Sequence, residues 1–187
     1  RTTCRGRVMR CTRFLLALSA EEQNRLRRLT FVISQAGRRK KWQEALQLLY
    51  THEGADSIAY NATIAACKSA ARWESALALW QSMDDRHDVV ACSAVISTLA
   101  RGLQWQRSLQ MLKYMEEVRM AADLIVISAA VLGLERLGRW QAALQVLQHC
   151  RGTRLQPDVV LYGSVISACE KGRQWQMALA CFKDMTR

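Results

Sequence analysis

A tryptophan returns at positions 42, 73, 105, 140 and 175, each time in a similar run: KWQEALQLL, RWESALALW, QWQRSLQML, RWQAALQVL and QWQMALACF. The intervals are 31, 32, 35 and 35 residues. Upstream of each Trp stands a second similar stretch, LTFVISQAG, YNATIAACK, CSAVISTLA, ISAAVLGLE and YGSVISACE. Self-similarity at a fixed period of this size marks an architecture of stacked repeats, and it constrains the fold more than any composition does.

Each unit reads as two helices. In the first, Val95, Ile96 and Leu99, or Val165, Ile166 and Cys169, repeat at the spacing that lines one helical face. In the second, the Trp is followed by a small residue and a Leu (Ala45/Leu46, Ala76/Leu77, Ser108/Leu109, Ala143/Leu144, Ala178/Leu179), then by Leu49, Trp80, Leu112, Leu147 and Phe182. Gly102, Gly138 and Gly172 mark the turn between the helices in the last three units, and the one proline, Pro157, falls between units. No Asn-Gly or Asp-Gly hairpin signal occurs. A single helix pair cannot bury both its apolar faces, so neighbouring pairs must stack. The expected fold is all-α, a right-handed superhelical α-solenoid of about five helix-turn-helix repeats with a concave inner surface. The repeats run at about 26–56, 57–88, 89–123, 124–158 and 159–187, preceded by a basic N-terminal arm over 1–25.

Charge supports that division. The net charge is +11. Residues 1–41 carry 12 Lys/Arg against 2 Asp/Glu, whereas residues 42–187 carry 15 against 14. The basicity is mostly in the arm, so it says little about the solenoid. The opening stretch RTTCRGRVMRCTRFLLALSAEEQ is Arg-rich and has no acidic residue before Glu21, which suits the remnant of an organelle transit peptide. The start at Arg1 and the stop at Arg187, directly after the fifth pair, lead us to expect a piece of a longer protein. No stretch approaches the roughly 18 apolar residues that cross a bilayer.

Little chemistry beyond binding is written here. Seven cysteines without a C-x-x-C pair argue against a disulfide framework and a zinc site; Cys67 and Cys169 stand where other units have Leu99 and Leu134, as small buried hydrophobes would. Cys4 and Cys11 in the arm have no assigned role. No phosphate-loop, dinucleotide, zinc-protease or nucleophile-elbow motif occurs, and His52, His87 and His149 are the only histidines. We expect no catalysis, cofactor, metal, membrane or small-molecule substrate for this stretch. The N-x-[ST] match at Asn61-Ala62-Thr63 falls inside an expected helix and is read as accidental.

A tetratricopeptide unit would place its Trp in the first helix and a Pro near its end. Across residues 26–187 the sequence instead resembles the pentatricopeptide repeat family. The stretch VVLYGSVISACEKGRQWQMALACFKDM follows that family's order of an extended entry, a Tyr with a polar residue, an apolar first helix, a basic-Gly turn, and an Ala-Leu helix ending in Met. SIAYNATIAACKSAARWESALALWQSM follows it nearly as well.

The resemblance implies a superhelix that binds single-stranded RNA, one base per repeat. It assigns base reading to the fifth and last residues of each repeat: Thr30 with Asp56, Asn61 with Asp88, Ser93 with Asp123, and Ser128 with Asp158. Gly163 stands at the fifth position of the last unit. Arg27, Ile58, Val90, Ile125 and Val160 would sandwich the bases, and Arg38, Arg101, Arg136 and Lys171 would approach phosphates, with Ser69 interrupting the row. By the family's code the pairs read 5′-G-U-G-G-3′. Short polar side chains on a groove are suited to base edges. Other roles stay open on the residues alone: an Asp before a helix is a preferred N-cap, the apolar sandwich residues could belong to the core, and basic residues at helix C-termini are favoured by the macrodipole.

The expected function is sequence-selective RNA binding in organellar RNA processing, stability, editing or translation, with chloroplast ahead of mitochondrion and with other RNA-processing proteins as further partners. The alternative is a helical-repeat scaffold that binds protein or peptide partners. A third reading shares the RNA groove and places a catalytic domain beyond Arg187.

Overall fold

The computed structural model describes residues 20–52, 55–83, 87–152 and 155–186. Most of the expected arm, with Cys4 and Cys11, lies outside them. The described residues form ten helices: α1 (Ala20–Arg38), α2 (Trp42–Thr51), α3 (Ser57–Ser69), α4 (Trp73–Gln81), α5 (Val89–Arg101), α6 (Trp105–Glu117), α7 (Leu124–Arg136), α8 (Trp140–Gly152), α9 (Val159–Lys171) and α10 (Trp175–Met185). The repeating Trp opens the second helix of every pair. Helix α1 begins at Ala20, ahead of the repeat start counted at Leu26.

One backbone device joins the two helices of each pair. The residue two before the Trp is left-handed in all five units: Lys40 (φ 58°), Ala71 (54°), Leu103 (59°), Gly138 (61°) and Arg173 (55°). The next backbone N–H then reaches back to a carbonyl in the last turn of the first helix, Lys41 to Ala36, Arg72 to Cys67, Gln104 to Leu99, Arg139 to Leu134 and Gln174 to Cys169, at 2.8 to 3.0 Å. This is the bond that closes a Schellman-type helix end.

Only Gly138 serves this conformation as a glycine. Gly102 (φ −78°) and Gly172 (φ −79°) lie one residue earlier and are not left-handed. Their reason for being glycine is contact. A Cβ there would come 2.5 Å from Cδ1 of Trp73 and 2.3 Å from Cδ1 of Trp140, the tryptophans of the preceding repeats.

The Trp is thus a staple between repeats. In three junctions the ring lies under a guanidinium from the following repeat: Arg72 over Trp42 (4.8 Å), Arg107 over Trp73 (4.4 Å) and Arg139 over Trp105 (5.5 Å). Arg72 and Arg139 directly precede their own repeat's Trp; where Gln104 takes that place, Arg107 supplies the cation from the first turn of α6.

Packing divides the helices into two rows. The first helices α1, α3, α5, α7 and α9 stack on one another without a break, whereas each of α2, α4, α6 and α8 packs between the first helix of its own repeat and that of the next. The core follows the repeat register: Ile33, Ile64, Ile96 and Val131 are fully buried in the first row, and Ala45, Ala76, Ser108 and Ala143 in the second. Cys67, Cys92, Cys150, Cys169 and Cys181 are buried free thiols, and burial pushes Cys67 and Cys169 up to about 11. Cys67 and Cys169 sit as small hydrophobes, as their place in the repeats predicts. No helix among the described residues is long and apolar enough to cross a membrane. The architecture is an α-solenoid.

Candidate nucleic-acid interface

Each junction between repeats delivers an Asp to the start of a first helix. Asp56, Asp88, Asp123 and Asp158 have extended backbone, and one oxygen of each, Oδ1, accepts from the backbone N–H of Ala59, Ala91, Val126 and Leu161 at 2.8, 2.6, 2.9 and 2.8 Å. All four are N-caps. Capping uses one carboxylate oxygen and fixes the side chain on the backbone, so it does not compete with a role for the second oxygen.

At Asp88 that second oxygen accepts from Nδ2 of Asn61 at 2.8 Å. The fifth residue of repeat 2 and its closing residue, 27 positions apart in the chain, therefore meet. Oδ1 of Asn61 is buried and forms no hydrogen bond among the described residues. The other pairs differ. Thr30 donates its hydroxyl to the Arg27 carbonyl at 2.9 Å, and Ser93 donates to the Val89 carbonyl at 2.5 Å, each within its own helix. Among the described residues no hydrogen bond links Thr30 to Asp56, Ser93 to Asp123 or Ser128 to Asp158. Gly163 places nothing at the fifth position of repeat 5, and a Cβ there would meet no atom within 4 Å.

The second-position residues lie on the surface. Ile58, Val90, Ile125 and Val160 are 58, 61, 78 and 65% exposed, and Arg27 is exposed as well. A core role for them is thereby excluded. Each aliphatic side chain left in water forgoes about 1.5 to 3 kcal/mol relative to full burial, so the four form an exposed apolar row in repeat register.

The basic row is uneven. Arg38, Arg101 and Arg136 are exposed in the last turns of α1, α5 and α7 and form no ion pair among the described residues. Lys171 instead donates to Oε1 of Glu135 at 3.1 Å, and Ser167 donates to the same oxygen at 3.1 Å. Ser69, which breaks the row, donates to the carbonyls of Gly37 and Ala66, tying α3 to α1.

Phe31 has no role in the sequence pattern, yet it is 60% exposed beside Thr30. The signal was present in the register, because the equivalent residues are Ala62, Ala94, Ala129 and Ser164.

A solenoid of helix pairs with a capping Asp at each junction defines the class of this molecule. Residues 58–87 and 160–187 match the family model for the PPR repeat. No curated protein matches the chain. Among solved structures, the chain is similar to the pentatricopeptide repeat protein PPR10 in complex with an 18-nt psaJ RNA element, at 24% identity and a TM-score of 0.67 over 89% of this chain and 26% of that one. It is also similar to PPR10 from maize, at 25% identity and a TM-score of 0.65 over 84% of this chain and 24% of that one. The chain thus spans about a quarter of the length of these neighbours. It is an α-solenoid that carries pentatricopeptide repeats at 58–87 and 160–187.

Proposed function

We propose that the row of first helices binds single-stranded RNA, one base per repeat, with edge selectivity set by Thr30/Asp56, Asn61/Asp88, Ser93/Asp123 and Ser128/Asp158. The observation that carries this is the hydrogen bond from Asn61 to Asp88, which brings the two reading positions of a repeat together. The similarity to a solenoid solved with an RNA element supports the ligand class.

The donor and acceptor pattern supports the bases that the family's code implies. In repeats 1, 3 and 4 the Asp carries one oxygen with no hydrogen bond among the described residues. A charged acceptor suits guanine, whose Watson–Crick edge presents adjacent N–H donors. In repeat 2 both oxygens of Asp88 are occupied, and the second hydrogen on Nδ2 of Asn61 is the donor left over. A donor suits a carbonyl of uracil. The proposed preference is 5′-G-U-G-G-3′. Ile58, Val90, Ile125 and Val160, with Arg27 at the first step, flank the bases, and Arg38, Arg101 and Arg136 meet the phosphates. Lys171 joins them only by leaving Glu135.

The wider setting, processing, stabilising, editing or translating organellar transcripts, with chloroplast ahead of mitochondrion, belongs to the same proposal. Family resemblance and the Arg-rich, acid-poor opening support it. The test is a selection from random single-stranded RNA beside a DNA control, at a salt concentration that suppresses non-specific phosphate contacts of the arm. Enrichment of a G-U-G-G core in RNA is expected. Equal retention of any polyanion, or binding of peptides insensitive to RNA, would replace this reading with the scaffold alternative.

A further inference from the structure

Three guanidinium groups stand one repeat apart along the second row of helices. Arg72 lies over Trp42, Arg107 over Trp73 and Arg139 over Trp105, at 4.4 to 5.5 Å from the ring centroids. Repeat 5 offers Gln174 and Met177 at the two positions that supply these cations, so the ladder has three rungs, all inside the array. A guanidinium carries its N–H donors in its own plane, and a ring against one face leaves them available to an anion. All three arginines are exposed, and none forms an ion pair among the described residues. The helix macrodipole opposes a cation in these places, because Arg72 and Arg139 directly precede α4 and α8 and Arg107 lies in the first turn of α6. Only α4 has an acidic residue in its first turn, Glu74, to offset that cost; α6 and α8 have none. The cations are held in register by the tryptophans, and their charge is left unanswered.

We propose that Arg72, Arg107 and Arg139 form a second phosphodiester track, outside the groove, that takes the backbone of RNA flanking the segment read there. The inference rests on the RNA-binding reading above. Arg38, Arg101 and Arg136 stand in the last turns of first helices and serve the groove. The ladder lies beyond the left-handed turn from them, over tryptophans that open second helices. Contacts to phosphate position a nucleic acid without reading its bases. The track therefore adds affinity and salt dependence for longer RNA and leaves the base preference unchanged.

The experiment measures affinity against salt concentration for the whole chain with two RNAs, 5′-G-U-G-G-3′ alone and the same core flanked on both sides by oligouridine. The proteins are the native chain, the triple variant Arg72→Gln/Arg107→Gln/Arg139→Gln, the corresponding triple Arg→Lys variant, and Arg107→Gln alone. With flanked RNA the triple Gln variant loses about 2 from the logarithmic salt slope, three single-strand phosphates at about 0.7 each, and Arg107→Gln loses about a third of that. On the bare core both keep the native slope. The triple Lys variant keeps the native slope on both RNAs, because it retains the charge. An equal loss on the bare core assigns the ladder to the groove, and a Lys variant that loses as much as the Gln variant makes the arginines mere supports of the tryptophans; either result overturns the track. So does flanked RNA that gains nothing over the core, and oligoglutamate that then binds the native chain but not the triple Gln variant reassigns the ladder to an acidic protein segment. Replacing the U of the core by C tests the reading pairs separately. Tolerance of C with the ladder's share of the slope intact sinks the code and keeps the track; selectivity at U without that share does the converse.

Discussion

The two rows of helices are built from one repeat and do opposite work. The first helices of repeats 2 to 5 are each 13 residues long, begin on a capping Asp and leave an aliphatic residue in water at their second position. The second helices vary from 9 to 13 residues and open on a Trp, which at Trp73 and Trp140 is clamped by the next repeat's turn. Surface that serves a ligand must stay uncovered and costs stability; surface that holds repeats together must be covered. Separating the two tasks onto different helices lets each side be altered without the other, and that separation can be tested.

The largest effect is expected in the row of second helices. Trp73→Ala removes the staple against Gly102 and the stack under Arg107, and should cost about 3 kcal/mol in urea unfolding. The ranking of RNA bases among the molecules that remain folded should not move; a changed ranking would mean that the rows are coupled. Next comes the junction, where the rows meet. Asp123→Ala should cost about 1 kcal/mol as a lost cap and also erase the preference at the third base. Asp123→Asn caps equally well, so it should leave the unfolding midpoint in place while erasing the same preference. If the two variants lose the preference only in proportion to stability, capping is the sole role of this Asp.

Within the row of first helices alone, Asn61→Ser should shift the second base from U toward G by roughly 1 kcal/mol in relative affinity, the scale of one hydrogen bond. An unchanged preference in a repeated selection would remove the assignment. The smallest effect separates the cations. Arg101→Gln should lower the salt dependence of RNA binding by about 0.7 in the logarithmic slope, the share of one single-strand phosphate. Lys171→Gln should lower it less, since Glu135 already holds that ammonium at 3.1 Å.

Much of the architecture is legible in the sequence. Five helix pairs follow from the period, and the capping of Asp56, Asp88, Asp123 and Asp158 is one of two readings that the residues allow. Contacts between repeats are not legible, since they join residues about 30 positions apart through shape. Nothing in the spacing of Trp73 says that Gly102 is flat for its ring. The arginine that covers each Trp also shifts position, from Arg72 and Arg139 before the next Trp to Arg107 after it, so no fixed motif records the stack. Gly102 and Gly172 look like turn residues in sequence because they lie next to the left-handed position; the structure gives them another cause. The exposure of Ile58, Val90, Ile125 and Val160 is undecidable from sequence because an apolar residue reads the same in a core and in a groove.

The unequal repeat lengths acquire a meaning from the stacking of the first helices. Repeats separated by 31 and by 35 residues differ in their second helices and in the junctions after those helices, while α3, α5, α7 and α9 keep the same length and stack alike. The molecule behaves as a ruler whose graduations are engraved on one edge and whose slack is stored on the other. An insertion in a second helix or in the junction after it changes the mass of a repeat without changing the step from one first helix to the next.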